Sequence, residues 1–368
     1  MKTKIFVVLL FAFLFGTPVY AQSSSIRTSI AKTKDGYNPE TKIKIQTHKN
    51  SNKPEEFELY RSIIRKHSWY VGVGEPISQE LANKLPYYFK LSMKNDKGNW
   101  QHVQAMHGNR MTTKHNISPY IFDKRYDTSN DENNDWAKML QSVTQWVITP
   151  DLSGKEVIEE RAYTAEGNLV YSFLPVKIKN GKITGSYNDS FGFPVDMRRE
   201  EGNTYGSIVR ITYDCCGRDS IIDFLDGEGF RKHNNDGVDQ VRNVYDNKDR
   251  IILSTSNNMV GDYTLDNWGN CGNRYEYIND TCYTITTIDK ELKPMRMPEG
   301  RAKNLQSFVT LKVILDKYGR ENERIMYGTD GLPDVTGNGV HKIVFDYDDY
   351  GNLKSTTYYN LNNEIINL

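Results

Sequence analysis

Tyr213-Asp214-Cys215-Cys216-Gly217-Arg218 and Leu315-Asp316-Lys317-Tyr318-Gly319-Arg320 are two copies of one pattern, and this pattern decides the fold. In each copy an Asp-Gly pair, a Gly-Val pair and a Tyr-Asp pair follow at similar distances. Asp214 precedes Asp246 by 32 residues (246 − 214), and Asp316 precedes Asp348 by 32 residues (348 − 316). Repetition at a fixed period of this size is typical of arrays of supersecondary units. The sequence therefore predicts a repeat architecture.

Each anchor Asp follows a segment in which apolar and polar residues alternate, such as Val209, Ile211 and Tyr213. An apolar period of two on β-branched and aromatic residues predicts a half-buried strand. The Asp begins a turn by accepting hydrogen bonds from nearby backbone, and the Gly that follows allows a positive φ. We therefore predict a hairpin at each anchor. The predicted structural turn residues are Asp214, Gly217, Asp246, Asp316, Gly319, Asp348 and Gly351.

The predicted fold class is mainly β, in two parts. Residues 54–150 are expected to form a small α+β domain, in which Pro54-Glu55-Glu56 and the spaced apolar residues after it predict a first helix. Residues 151–368 are expected to form antiparallel β-hairpin repeats with a period of about 32 residues. Between about 251 and 310 the pattern weakens, which we interpret as a degenerate copy of the unit that carries an insertion and includes a hairpin at Tyr275–Ile278 and Cys282–Ile288.

The N-terminus has the features of a signal peptide at residues 1–21. Lys2 and Lys4 precede an apolar run, Ile5–Phe15, and small residues end at Ala21. The run is shorter than the roughly 20 residues that a spanning helix needs. We predict an exported protein, periplasmic, outer-surface or secreted, with no membrane span in the mature chain. Residues 22–53 are polar and are expected to be a flexible lead-in.

Composition argues against several classes of function. The 47 basic and 47 acidic side chains balance, so no net charge attracts a polyanion, and nucleic acid is not an expected partner. The sequence lacks Gly-x-Ser-x-Gly, His-Glu-x-x-His and Cys-x-x-Cys, which leaves a serine hydrolase or zinc site without a motif. No catalytic residue, metal or cofactor is predicted.

The four cysteines, in an exported chain, permit disulfides. Cys271 and Cys282 lie in one irregular stretch and are candidates for a pair. The adjacent Cys215 and Cys216 occupy the variable positions of a turn, and we interpret them as structural or disulfide-forming. Three pairings among four cysteines are open at this point.

The Tyr-Asp-x-x-Gly-Arg/Asn turn with flanking strands resembles the YD-type (RHS-like) and WG-type β-hairpin repeats of bacterial exported proteins. The resemblance covers roughly residues 160–360, with a longer period than a plain YD array, and residues 22–150 resemble no family that we recognise. It implies an exported β-hairpin repeat protein.

The 24 Tyr residues are the remaining functional signal. We predict a non-enzymatic interaction surface for a protein partner at the cell envelope, because Tyr is common in protein interfaces. The alternative is glycan or cell-wall binding by stacking on exposed aromatic rings. A less favoured alternative is a hydrolase with its site in residues 54–150. The candidate binding residues are Tyr263, Trp268, Tyr283, Tyr350, Tyr358 and Tyr359.

Overall fold

The computed structural model describes residues 57–94, 100–115, 140, 142–150, 157–179, 182–195, 208–234, 237–267, 269–296 and 308–367. The predicted signal peptide and lead-in lie outside these residues. Within the described ranges, no helix has both the length and the apolar character needed to cross a membrane.

The described residues form twenty-one strands and one short helix. The elements before the repeats are β1 (Phe57–Tyr60), β2 (Ile63–Lys66), β3 (Trp69–Gly72), α1 (Gln79–Ala82), β4 (Tyr88–Lys94), β5 (Trp100–His107), β6 (Arg110–Met111), β7 (Gln145–Pro150), β8 (Val157–Tyr163), β9 (Leu169–Lys179) and β10 (Lys182–Asp189). The repeat strands are β11 (Ile208–Tyr213), β12 (Asp219–Leu225), β13 (Gln240–Tyr245), β14 (Ile251–Asn257), β15 (Gly272–Asn279), β16 (Cys282–Ile288), β17 (Thr310–Leu315), β18 (Glu321–Tyr327), β19 (Lys342–Tyr347), β20 (Leu353–Tyr359) and β21 (Ile365–Ile366).

In the described part of the chain, nineteen strands make one antiparallel sheet, and β2 and β3 make a separate hairpin. From β7 onward, each strand pairs with the next one in sequence, as far as β21. At the other end β7 pairs with β5, β5 with β4 and β4 with β1. The chain is therefore mainly β, and the expected antiparallel hairpins are confirmed. The sheet also runs across the expected boundary near residue 150, because β7 pairs with β8.

The helix predicted from Pro54 onward is wrong. The structure has strands β1 and β2 there, and β1 pairs with β4 from Phe57↔Ser92 to Tyr60↔Phe89. The β2–β3 turn places His67 and Ser68 at φ 47° and 68°, the conformation of a two-residue hairpin turn that Gly or Asn usually supplies. The hydrogen bonds of β1 to β4 and of β2 to β3 stabilise strands here, although the local spacing of apolar residues favours a helix.

The stretch at 251–310 contains a copy of the hairpin unit with one longer connection. It contains β14, β15 and β16, and the predicted β15–β16 hairpin is confirmed, with Asn279 opposite Cys282 next to its turn. β14 pairs with β15, and β16 with β17. What differs is the connection between β16 and β17, residues 289–309, which is longer than residues 226–239 between β12 and β13.

The largest apolar core lies between the sheet and the β2–β3 hairpin. Trp146, Phe173, Ile211 and Phe224 of the sheet belong to the same buried cluster as Tyr70 of β3. A second cluster, with Val313 and Met326 in it, lies along β17–β19. The N-terminal hairpin therefore supplies core to the repeats instead of standing apart from them.

Candidate interaction surface

A first set of turns, here named ladder turns, joins the two strands of four repeat hairpins at residues 214–218, 246–250, 316–320 and 348–352. In each turn the N–H of the first residue donates to the carbonyl of the fifth, at 2.8–2.9 Å. Oδ1 of Asp214 accepts from the N–H groups of Cys216 (2.8 Å) and Arg218 (2.9 Å), and Asp246, Asp316 and Asp348 do the same in their own turns. Gly217, with φ 80°, adopts a conformation that favours Gly.

An arginine joins each of three ladder turns to the next strand. Arg218 donates from Nε to Oδ2 of Asp214 (2.7 Å), and its guanidinium lies 4.8 Å from the ring centre of Tyr245 in the following copy. The same arrangement links Arg250 to Tyr277 at 3.9 Å, and Arg320 to Tyr347 at 4.7 Å. The repeated Tyr-Asp and Arg therefore act together. They form a series of ion pairs and cation–π contacts along the ends of the strands at which the ladder turns lie, here named the ladder edge.

The carboxylates of Asp214, Asp246 and Asp348 are held ionised, because each has a pKa below its ordinary value. Burial opposes the ionisation of Asp214, but hydrogen bonds from the backbone and guanidinium of Arg218 and from the Cys216 backbone outweigh it, so the pKa of Asp214 lies below its ordinary value. Arg250 and Lys248 lower the pKa of Asp246 against burial in the same way. These hydrogen bonds and ion pairs stabilise the turns.

The N-terminal part of the chain contacts three of the ladder turns. The N–H of His67 donates to the carbonyl of Gly217 at 2.8 Å. Arg320 donates to the carbonyl of Lys84 at 3.2 Å, and Nε2 of His107 lies 3.0 Å from Oδ1 of Asn352. An edge with these internal contacts offers less surface to a partner.

A second set, here named rim turns, lies at the other end of the hairpins, at residues 189–193, 226–230, 258–262, 289–293, 328–332 and 360–364. Their backbone bond is the same, from the N–H of the first residue to the carbonyl of the fifth, and measures 2.9 Å in all six. They follow β10, β12, β14, β16, β18 and β20, so neighbouring rim turns are separated by two strand spacings, about 10 Å. Arg231 links two of them by donating to the carbonyl of Met259 at 2.6 Å.

The first three rim turns expose large apolar side chains, a group here named the apolar rim. Its members and their exposed fractions are Phe191 66%, Phe193 68%, Phe230 72%, Met259 54% and Val260 79%. The rim turn at 289–293 instead exposes Lys290 and Glu291. Within the described residues, the apolar rim is a row about 20 Å long across three neighbouring turns. The prediction of binding residues from Tyr and Trp does not include this row, because its members are Phe, Met and Val. The turns that carry this row do have a pattern in the sequence: Asp226-x-x-Gly229 and Asn258-x-x-Gly261 lie 32 residues apart (258 − 226).

The predicted aromatic binding residues do not form one site. Tyr263 is 41% exposed beside a rim turn, whereas Tyr350 is 72% exposed in a ladder turn at the opposite edge. Tyr283 is half-buried, with its ring 5.6 Å from that of Tyr277, and packs against the second core cluster. Tyr358 and Tyr359 are half-buried as well. Trp268 lies outside the described residues.

The candidate disulfide between Cys271 and Cys282 is not formed, and all four cysteines are free thiols. Gly272, next to Cys271, pairs with Ile288, whereas Cys282 pairs with Asn279. The two cysteines therefore lie at opposite ends of the β15–β16 hairpin, about 25 Å apart along the strands. A disulfide needs Cα atoms within about 7 Å.

No group of three or more His, Cys, Asp or Glu side chains is placed to hold a metal ion within the ranges that the structure describes.

No protein-family model and no curated protein matches the chain. Among solved structures, 74% of this chain is similar to a chain of the Photorhabdus luminescens Tc holotoxin pore, at 11% identity and a TM-score of 0.16. The match spans 15% of that chain's length, and a TM-score this low does not establish a shared fold.

Proposed function

We propose that this chain is an exported, non-enzymatic β-hairpin repeat protein of the YD (RHS-like) or WG kind, and that its apolar rim binds a protein partner at the cell envelope. The observation that carries the proposal is the exposure of Phe191, Phe193, Phe230, Met259 and Val260 along one edge. Contiguous exposed apolar patches on soluble proteins are often functional. Contact with a matching apolar surface would remove this row from water, which is favourable.

The chemistry of the apolar rim favours a protein over a glycan. Phe and Val side chains carry no donor or acceptor for a sugar hydroxyl, and Met offers only a weak acceptor. Protein interfaces, in contrast, are enriched in Phe and Met. Tyr350, a good candidate for stacking on a sugar, lies at the other edge of the sheet, away from this row.

The test uses site-specific photo-crosslinking in intact cells. A photoreactive amino acid replaces Phe193 or Phe230 in the full chain, and Tyr350 in a control of equal exposure. We expect one protein to be crosslinked from positions 193 and 230 and not from 350. That protein, once purified, should bind the wild-type chain at least tenfold more tightly than a Phe193→Ser, Phe230→Ser variant. Loss of two apolar anchors typically costs more than about 1 kcal/mol, and tenfold corresponds to about 1.4 kcal/mol.

Tyr350→Ser is the matched control and should bind the partner like the wild type. Both Phe side chains are exposed, so the double variant should also melt like the wild type. Equal binding by the wild type and the double variant would rule out the rim as the site. Retention on peptidoglycan or an insoluble polysaccharide, lost on Tyr263→Ala or Trp268→Ala, would replace the proposal with the glycan-binding alternative.

A further inference from the structure

Two neighbouring thiols lie on the surface of the first ladder turn. Cys215 and Cys216 are both exposed, and their Sγ atoms are 3.9 Å apart. The corresponding positions of other ladder turns hold Asn247-Lys248 and Lys317-Tyr318. Because those turns close with the same hydrogen bonds, the thiols are not needed for the turn. They are a chemical feature of this copy alone among the four ladder turns.

The backbone under the two thiols is fixed from both sides. Oδ1 of Asp214 accepts from the N–H groups of Cys216 and Arg218. On the other side the N–H of His67 donates to the carbonyl of Gly217, and Lys66 forms a β-bridge with Arg218. Ordering a ligand costs less when the groups that bind it are already in place. The turn therefore presents the thiols as a pair.

Geometry disfavours a disulfide between these cysteines. Consecutive Cα atoms across a trans peptide are about 3.8 Å apart, whereas disulfides usually join Cα atoms about 4.4–6.8 Å apart and sulfur atoms at about 2.05 Å. The observed distance of 3.9 Å between the sulfur atoms is compatible instead with two sulfur atoms bound to one metal ion. At metal–sulfur distances of about 2.3 Å, sulfur atoms 3.9 Å apart subtend a bent angle of about 116° at one ion, so both thiolates can bind the same ion.

We propose that Cys215 and Cys216 bind one soft cation of the Cu(I) type. Soft thiolate ligands favour Cu(I), zinc and iron–sulfur clusters. A structural zinc site normally has four protein ligands and an iron–sulfur cluster four cysteine ligands, which is more than this turn supplies, so Cu(I) fits the pair best. On binding, each S–H gives up its proton and forms a bond to the metal. One Cu(I) thus displaces two protons, and no atom changes its oxidation state. The binding does not depend on the apolar rim, which lies at the other end of the hairpins.

The test is a titration of the full chain with Cu(I) under ascorbate, in competition with a chromogenic Cu(I) chelator. We expect one Cu(I) per chain and two protons released per metal bound. The Cys215→Ser, Cys216→Ser variant should take up none, and each single variant should bind at least 100-fold more weakly. Because Cys271 and Cys282 are buried, their thiols should not compete in the folded protein. The melting temperature of the double variant reports that the fold is intact.

A matched gain-of-function control uses the next ladder turn. Asn247→Cys with Lys248→Cys places two exposed residues of that turn in the same positions, and the variant should bind a second Cu(I). Equal uptake by the wild type and the double Ser variant would overturn the proposal. So would single Ser variants that bind like the wild type. A Cys215–Cys216 peptide from the unreduced protein with a mass lower by two hydrogens would show a disulfide and overturn it as well.

Discussion

At the scale of single residues, two glycines with the same backbone conformation should differ in the cost of a side chain. Gly351 and Gly331 have φ 78° and 76°. A Cβ at Gly351 would lie 2.5 Å from the carbonyl carbon and oxygen of Leu85, whereas a Cβ at Gly331 would meet no atom within 4 Å. Both Ala variants should lose about 1–3 kcal/mol through the left-handed conformation. Gly351→Ala should lose more in urea unfolding, because backbone must move. Equal losses would contradict the packing of the α1 region on this turn.

The arginines of the ladder turns should not be replaceable by lysine. Arg320 pairs with Asp316 (2.6 Å), donates to the carbonyl of Asp348 (3.2 Å) and stacks on Tyr347. Lysine keeps the charge but has neither the planar stacking surface nor the fork of donors. Arg320→Lys should therefore lower the free energy of unfolding by about 1–2 kcal/mol. The control is Arg296→Lys, at a half-exposed ion pair with Asp334, where the loss should stay below about 1 kcal/mol. Similar losses in the two variants would assign no special role to the ladder.

At the scale of elements, hairpins whose turns are stabilised by their own residues can be predicted from the sequence. Hairpins that depend on contacts with distant residues cannot. The ladder-turn hairpins are predictable because each turn carries its own Asp acceptor, and most also carry a Gly with positive φ. The β2–β3 hairpin is not predictable in this way, because His67 and Ser68 give no turn signal. Its contacts are with residues far along the chain, such as Ser68 with Tyr213 through a hydroxyl pair at 2.6 Å.

The exposure of the apolar rim could not be predicted from the sequence either. Ladder and rim turns share one backbone hydrogen-bond pattern, so the fifth residue of the turn is Arg218 at one edge and Phe230 at the other. Arg218 contacts the next copy, whereas Phe230 faces solvent. Only the tertiary structure tells which of these side chains has a partner in the next copy. The pattern of residues predicts both turns, and the tertiary structure decides which side chains of each turn pack against a neighbour.

At the scale of the whole molecule, one buried ionic cluster fastens the N-terminal hairpin to the sheet. Nη1 of Arg65, on β2, donates to Glu160 of β8 at 2.7 Å, and its Nε lies 3.5 Å from Asp219 of β12. The hydroxyl of Tyr171 donates to Glu160 at 3.1 Å. All three charged side chains are almost fully buried. One cation thus faces two carboxylates, and buried groups of this kind remain charged only when they are paired.

This imbalance predicts a pH dependence. Burial raises the pKa of Asp219 to about 7 despite Arg65, and the charge of Glu160 adds to the rise. Because the ordinary value is 3.8, the folded protein holds a proton that the unfolded chain releases between these values. The stability that this proton contributes is fully present below about pH 4 and is lost as pH rises towards 7.

Asp219→Asn tests this sign, because the amide resembles the protonated carboxyl and does not titrate. Relative to the wild type, the variant should gain stability between pH 4.5 and 8, on the order of 2–4 kcal/mol. The measurement is urea unfolding at several pH values, with Asp349→Asn, an exposed carboxylate, as the control that should show no such gain. A constant difference across this range would mean that Asp219 is ionised in the folded protein throughout. The Arg65 cluster would then fasten the hairpin with both carboxylates charged.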